Sequence, residues 1–214
     1  MKSQTVADAR ITRWWWIRHA PVVGDGGRIY GQADLDCDCS DIPVFAALER
    51  MLPREPLWLT SNLARTHQTA QAIMTQRGDE ERACTPIKDF AEQFLGDWQG
   101  LAREAFFAGR RPQAGSYWFG PADERAPGGE SFTDLCGRVE PAIARLNQEN
   151  AGRDIVAVAH GGTIRAALRL ALGIDAQTAL AFAIRNCALT RIDHVALADE
   201  AGWRVAFVNF YPLG

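Results

Sequence analysis

No stretch of this 214-residue sequence stays apolar long enough to cross a bilayer, which takes about 20 such residues. Residues 1–12 are polar and of mixed charge, so they lack the apolar segment of a secretory leader. Cysteine is scarce and odd in number. Cys37, Cys39, Cys84, Cys136 and Cys187 are scattered along the chain, which excludes the paired framework of a small disulfide-stapled domain. Only Cys37 and Cys39 are close, within Asp36-Cys37-Asp38-Cys39-Ser40-Asp41. With no further Cys or His beside them, they read as an acidic, solvated loop rather than a soft-metal site. The net charge is -3, which gives no basic footprint for nucleic acid. Repeats, low-complexity tracts and interdomain linkers are also missing. A cytoplasmic protein of one domain, residues 1–214, with neither nucleic-acid nor membrane partners, is the expectation. Nothing indicates its oligomeric state.

What is present is enough apolar material for a substantial core: 47% hydrophobic against 23% charged residues. Trp14-Trp15-Trp16-Ile17 is a β-preferring run that ends abruptly in Arg18-His19 and is stopped by Pro21 and Gly24-Asp25-Gly26-Gly27. Residues 41–51 have helical periodicity. A short strand at 57–60 follows, then a helix with Ser61 as its N-cap, closed by Gly78. Residues 83–88 read as a strand, 89–100 as irregular and 101–107 as helical. Residues 110–129, rich in Pro and Gly and carrying Tyr117, Trp118 and Phe119, read as a flap or an aromatic surface excursion. The longest helix begins at Ser131, with Pro141 as a kink or early break. Residues 154–159 are the clearest buried strand, ending in His160-Gly161-Gly162 before a helix over 163–172. Strands follow at 181–185, 188–195 and 203–209, the last two joined by a turn at 199–202. Alternating strands and helices predict a three-layer α/β/α sandwich with a mostly parallel central sheet.

Two strands thus end in related chemistry, Arg18-His19 and His160-Gly161-Gly162, and a third leads into a helix bearing Arg65. Parallel strands present their carboxyl ends on one side, so these residues can converge. The start of the helix after Thr60 is expected to offer backbone N–H groups to an anion. Guanidinium forks match the oxygens of a phosphoryl group, and an imidazole can serve as its nucleophile. His67 and His194 read as structural, and Glu130 as a partner of its helix dipole. No serine lies in a Gly-x-Ser-x-Gly elbow, which argues against a serine hydrolase.

Arg18-His19, Ser61-Asn62-Leu63-Ala64-Arg65-Thr66-His67-Gln68-Thr69-Ala70, Glu92 to Gly100, Gly129-Glu130-Ser131 and Ala159-His160-Gly161-Gly162 fall in one order along the chain. Together they resemble the histidine phosphatase superfamily, of phosphoglycerate mutase-like fold. The resemblance implies a cofactor- and metal-independent hydrolase of small phosphate esters. In it His19 becomes phosphohistidine and Glu92 is the acid and then the base. Arg18, Arg65 and His160 bind the phosphoryl group. The segment from Gly27 to Leu35 resembles α-ribazole phosphatases of cobalamin biosynthesis, which makes α-ribazole 5'-phosphate a candidate substrate. A phosphoglycerate-type mutase and a catalytically dead phosphate-binding protein are the alternatives. The chain departs from the family pattern at Ala20, where Gly is usual; the added methyl is expected to narrow the phosphate pocket. An Asn usual a few residues later is also missing.

Overall fold

The computed structural model describes residues 9–110, 120–197 and 200–214. The elements in chain order are β1 (Arg10–Arg18), α1 (Ile42–Met51), β2 (Leu57–Thr60), α2 (Ala64–Thr75), β3 (Thr85–Pro86), α3 (Arg103–Ala108), α4 (Phe132–Glu149), β4 (Asp154–Ala159), α5 (Gly161–Leu172), α6 (Ala176–Ala179), β5 (Leu189–Ala196) and β6 (Ala201–Phe210). They build one six-stranded sheet in the order β3-β2-β4-β1-β5-β6. The first four strands are mutually parallel, and β5 and β6 are antiparallel additions at one edge.

Side chains alternate across the sheet and divide the core in two. Trp14 and Trp16 of β1 and Ile155, Ala157 and Ala159 of β4 pack against α4 and α5. Ile17, Val156 and Val158 pack against α1 and α2 on the other face. The expected three layers are present. β4 is buried on both faces, which is why it reads as an unbroken apolar run. The stacked indoles of Trp14 and Trp16, 5.1 Å apart, both meet the edge of Phe90. β1 and β4 run in register to Arg18 and Ala159, so His19 and His160 leave the sheet side by side.

Several boundaries differ from the sequence reading. Only Thr85–Pro86 of the strand expected at 83–88 pairs with β2, because a 3-10 turn over Lys88–Phe90 follows at once. Residues 181–185 form no strand. The chain turns there, and the carbonyl of Ile184 accepts from Arg18. α5 starts at Gly161, two residues before expectation. α4 runs unbroken through Pro141 and is fastened at its start by a capping box between Ser131 and Asp134. Ser61 does not cap α2. That helix begins after Leu63 without a side-chain cap, and Ser61 Oγ instead meets His160. β6 starts at Ala201, two residues before the strand expected at 203–209. Of the flap expected at 110–129, residues 111–119 with Tyr117, Trp118 and Phe119 lie outside the described residues, and 120–129 form turns without helix or strand. Among the described residues no helix is long and apolar enough to cross a membrane.

The indole N–H of Trp14 donates to Asn147 Oδ1 at 2.7 Å, deep between β1 and α4. Asn147→Leu removes that acceptor and leaves the donor buried and unmet. A loss of about 1–3 kcal/mol is expected in urea unfolding, with no change in the unfolding slope.

Candidate active site

The residues gathered at the carboxyl ends of β1, β2 and β4 are among the most buried polar groups of the chain. His19, Arg65 and His160 are essentially inaccessible, and Glu92 is 8% exposed. The two imidazoles lie 5.1 Å apart, centre to centre. His19 is fixed from three sides. Its N–H donates to Ala159 O, its carbonyl accepts from Asn186 Nδ2, and its Nδ1 lies 2.7 Å from the carbonyl of Ala20. A carbonyl can only accept, so Nδ1 carries the proton and Nε2 keeps its lone pair. Burial, then the charges of Arg65 and Arg18, push His19 well below the usual imidazole pKa. It is therefore neutral at physiological pH.

His160 is neutral for similar reasons: burial first, then His19, Arg65 and Arg18. Its Nε2 lies 2.8 Å from Ser61 Oγ, and its Nδ1 has no partner among the described residues. Thr66 Oγ1 donates to Leu63 O at 2.8 Å, and Ser61 Oγ accepts the N–H of Leu63. The Ser61 proton is then free for His160 Nε2 or for Thr66 Oγ1, 3.1 Å away; when it goes to Nε2, His160 Nδ1–H is a donor toward the site.

Arg65 donates to the carbonyls of Gly31 and Ala33, and its guanidinium lies over the ring of Tyr30. Arg18 donates to Ile184 O. The Nε of each arginine is buried and has no partner among the described residues. Two guanidiniums and an imidazole thus bring together three buried nitrogens without partners among the described residues, a set suited to a tetrahedral oxyanion. Glu92 accepts from the N–H of Gln93 and from that of Gly162 in the first turn of α5, the positive end of that helix. A Cβ at Gly162 would lie 2.3 Å from Glu92 Oε1, so the second glycine of His160-Gly161-Gly162 makes room for the carboxylate. A cavity of about 380 Å³ opens beside this group, lined by Arg18, Tyr30, Glu92, Leu95, Arg103 and Asn186 among others.

All five residues singled out in the sequence come together here: His19 and Glu92, with Arg18, Arg65 and His160. The sequence reading missed Ser61 in this role, as well as Asn186 and Thr69, which accepts the N–H of Ala20. It also missed Arg165, a buried guanidinium bonded to Phe182 O, whose pKa is pushed down to about 10 by burial against the opposing pull of Glu92. Glu130 is more than a dipole partner. It pairs with Arg138, which in turn holds the carbonyl of Glu92. The start of α2 offers less to an anion than expected, because Asp34 already takes the N–H of Ala64 and Ser61 that of Leu63. The methyl of Ala20 does not narrow the pocket: it packs into the apolar cluster under α1 and α2, and Ala20 has no left-handed backbone. His67 bonds Thr60 and His194 packs on Trp203, both outside the site. Cys37 and Cys39 are half-buried against α2 rather than solvated. Among the described residues no cluster of three or more His, Cys, Asp or Glu is placed to hold a metal ion.

The neutral histidines set a pH dependence. Their folded pKa values lie below the unfolded value of about 6.5, so in that window the unfolded chain binds more protons. Stability therefore rises with pH there and is lost on acidification below about 6.5. Urea midpoints measured on either side of that value should fall more for the wild type than for His160→Gln. Equal losses would contradict the assignment.

Comparison with known proteins agrees with this geometry. The family described as the histidine phosphatase superfamily (branch 1) matches residues 14–210. A glucosyl-3-phosphoglycerate phosphatase of Mycolicibacterium vanbaalenii is 34% identical over 177 residues, covering 77% of this chain and 76% of that protein. The native structure of a mycobacterial glucosyl-3-phosphoglycerate phosphatase superposes with a TM-score of 0.77 at 27% identity, over 94% of this chain and 99% of the other. A putative α-ribazole-5'-phosphate phosphatase of Escherichia coli superposes with a TM-score of 0.72 at 25% identity, over 92% and 96% of the two chains. The chain belongs to the histidine phosphatase superfamily (branch 1), and it is an enzyme of that family.

Proposed function

We propose that this chain is a cytoplasmic phosphomonoesterase, one domain over residues 1–214, that hydrolyses a small phosphate ester through phosphohistidine at His19. The lone pair on His19 Nε2, fixed by the Nδ1–H bond to Ala20, carries this reading. Nε2 attacks phosphorus as the bond to the ester oxygen breaks, and Glu92, a carboxylate in the free site that takes up a proton as the ester binds, gives that proton to the departing alcohol. Glu92, now a carboxylate, takes a proton from water as the water oxygen attacks phosphorus. The N–P bond breaks, phosphate leaves, and both side chains return to their starting forms. Arg18 and Arg65 neutralise the non-bridging oxygens, and His160 donates to one of them. Splitting one displacement into two lowers each barrier.

Hydrolysis is favoured over a mutase because the cavity wall is not strongly cationic. Arg103 is tied to Asp25 at 3.1 Å, and Glu92 lines the same cavity as Arg18. A mutase must hold a phosphorylated product through reorientation, for which a closed cationic site is better suited. The wall combines Asp25, Asn186 and Arg103 with apolar Val22, Ile29 and Leu95. That mixture suits a hydroxyl-rich leaving group bearing a carboxylate, as in the ester named for the mycobacterial relative, glucosyl-3-phosphoglycerate. α-Ribazole 5'-phosphate, from the name of the Escherichia coli neighbour, is the second candidate.

Phosphate release from a panel in excess EDTA tests the reading. The panel holds glucosyl-3-phosphoglycerate, α-ribazole 5'-phosphate, 3-phosphoglycerate, nucleoside monophosphates and p-nitrophenyl phosphate. Turnover should resist EDTA and fall at least about a thousandfold in His19→Ala. No turnover of any ester by folded protein would favour a mutase or a binding protein. Glu92→Gln should lose about 10²-fold or more on alkyl esters, and within about tenfold on p-nitrophenyl phosphate, whose leaving group needs no proton. Equal losses on both would remove Glu92 from the acid role.

A further inference from the structure

Outside the site, Cys37 and Cys39 bring two thiols within 3.6 Å of each other, sulfur to sulfur. They line an open groove of about 520 Å³ along α2, together with His67, Gln71 and Thr75, so small solutes reach them. The two sulfurs differ in setting. The S–H of Cys39 and the hydroxyl of Thr69 hold the Cys37 thiol down at about 7, and the Cys39 thiol is raised. Burial pushes Cys84, Cys136 and Cys187 up to about 11, 12 and 12, which leaves them inert by comparison.

The Cys37 sulfur also touches the phosphate clamp from behind. It donates to the carbonyl of Arg65 at 3.3 Å and lies 3.5 Å from Thr69 Oγ1, the atom that accepts the N–H of Ala20. The backbone beside it is laced to the segment that follows His19. Val22 and Cys37 form a β-bridge, the N–H of Asp38 donates to Pro21 O, and that of Val23 to Asp36 O. Pro21 and Val22 line the cavity next to Arg18.

We propose that Cys37 and Cys39 are a dithiol switch that closes to a disulfide on exposure to peroxide and weakens the phosphate site. The Cys37 thiolate attacks one peroxide oxygen, breaking the O–O bond, and becomes a sulfenic acid as hydroxide leaves. The Cys39 thiol then displaces the sulfenic oxygen as water. Two thiols are oxidised by two electrons, and one hydrogen peroxide is reduced to two waters. Closure draws the sulfurs from 3.6 Å to about 2 Å, and the chain must move to allow it. Cys37 then has no S–H for the Arg65 carbonyl, and the Pro21–Val23 wall shifts with its partner strand. A small dithiol reverses the reaction by exchange.

The test treats the full chain with hydrogen peroxide, caps the remaining thiols, and maps disulfides by peptide mass. Turnover of p-nitrophenyl phosphate and affinity for inorganic phosphate are followed in parallel, so that a chain without esterase activity still reports on the site. A Cys37–Cys39 link is expected, with a loss of at least about fivefold in either readout that dithiothreitol restores. The Cys37→Ser/Cys39→Ser variant should keep its own untreated values through the same exposure. Oxidation confined to other residues, a link that leaves both readouts unchanged, or equal inactivation of the double variant would overturn the proposal.

Discussion

Arg65 carries a full positive charge at zero solvent exposure, and much of the surrounding structure can be understood as making that tolerable. A buried guanidinium costs several kcal/mol unless its N–H groups and its charge are met. The Gly31 and Ala33 carbonyls take two of its donors, the Tyr30 ring covers its face, and the Glu92 carboxylate offsets its charge. Those partners come from the loop after β1 and from the irregular stretch after β3, so neither is free to drift. Gly31 itself sits at φ +48°, which side chains rarely adopt, and a Cβ there would press on Gln99 Oε1 and lie 3.0 Å from the Gln93 carbonyl. Nε of Arg65 has no partner among the described residues. The unmet donor is what the site has to offer an anion.

The same economy governs the imidazoles. Both are kept neutral by burial beside two cations, so each tautomer is chosen by its one anchoring bond. Ala20 O fixes that of His19, and a proton given by the Ser61 hydroxyl to Nε2 sets that of His160. His19 is left with a lone pair and His160 with a proton, opposite characters on rings 5.1 Å apart. The carboxylate of Glu92 rests on the first turn of α5, held there by Gly162 N–H, while Arg138 and Gln32 grip its carbonyl.

Much of this was legible in the sequence, since it depends on strand ends. The apolar runs of β1 and β4 and their abrupt polar termini place Arg18, His19 and His160 without ambiguity once the sheet is parallel. Glu92 was legible only through its surroundings in the Glu92–Gly100 segment, because a lone loop carboxylate has no periodicity to mark it. Ser61 was misjudged for a physical reason. A serine before a helix usually caps it, and nothing local shows that an imidazole 99 residues away is the competing partner. The non-strand at 181–185 has a similar origin, in that its backbone is spent on Arg18 and Arg165 rather than on a neighbouring strand. The half-burial of Cys37 and Cys39 was hidden by the aspartates on either side, which point outward while the sulfurs turn to α2.

Whether the phosphoryl group travels on His19, and on which nitrogen, is the centre of the account. Mixing the chain with p-nitrophenyl phosphate, quenching in alkali to preserve phosphohistidine, and mapping by mass and phosphorus NMR answers both. One phosphoryl group on His19 at Nε2 is the expected result, because Nδ1 is committed to Ala20. Phosphate on His160, on Nδ1 of His19, or on no histidine while turnover proceeds would contradict it.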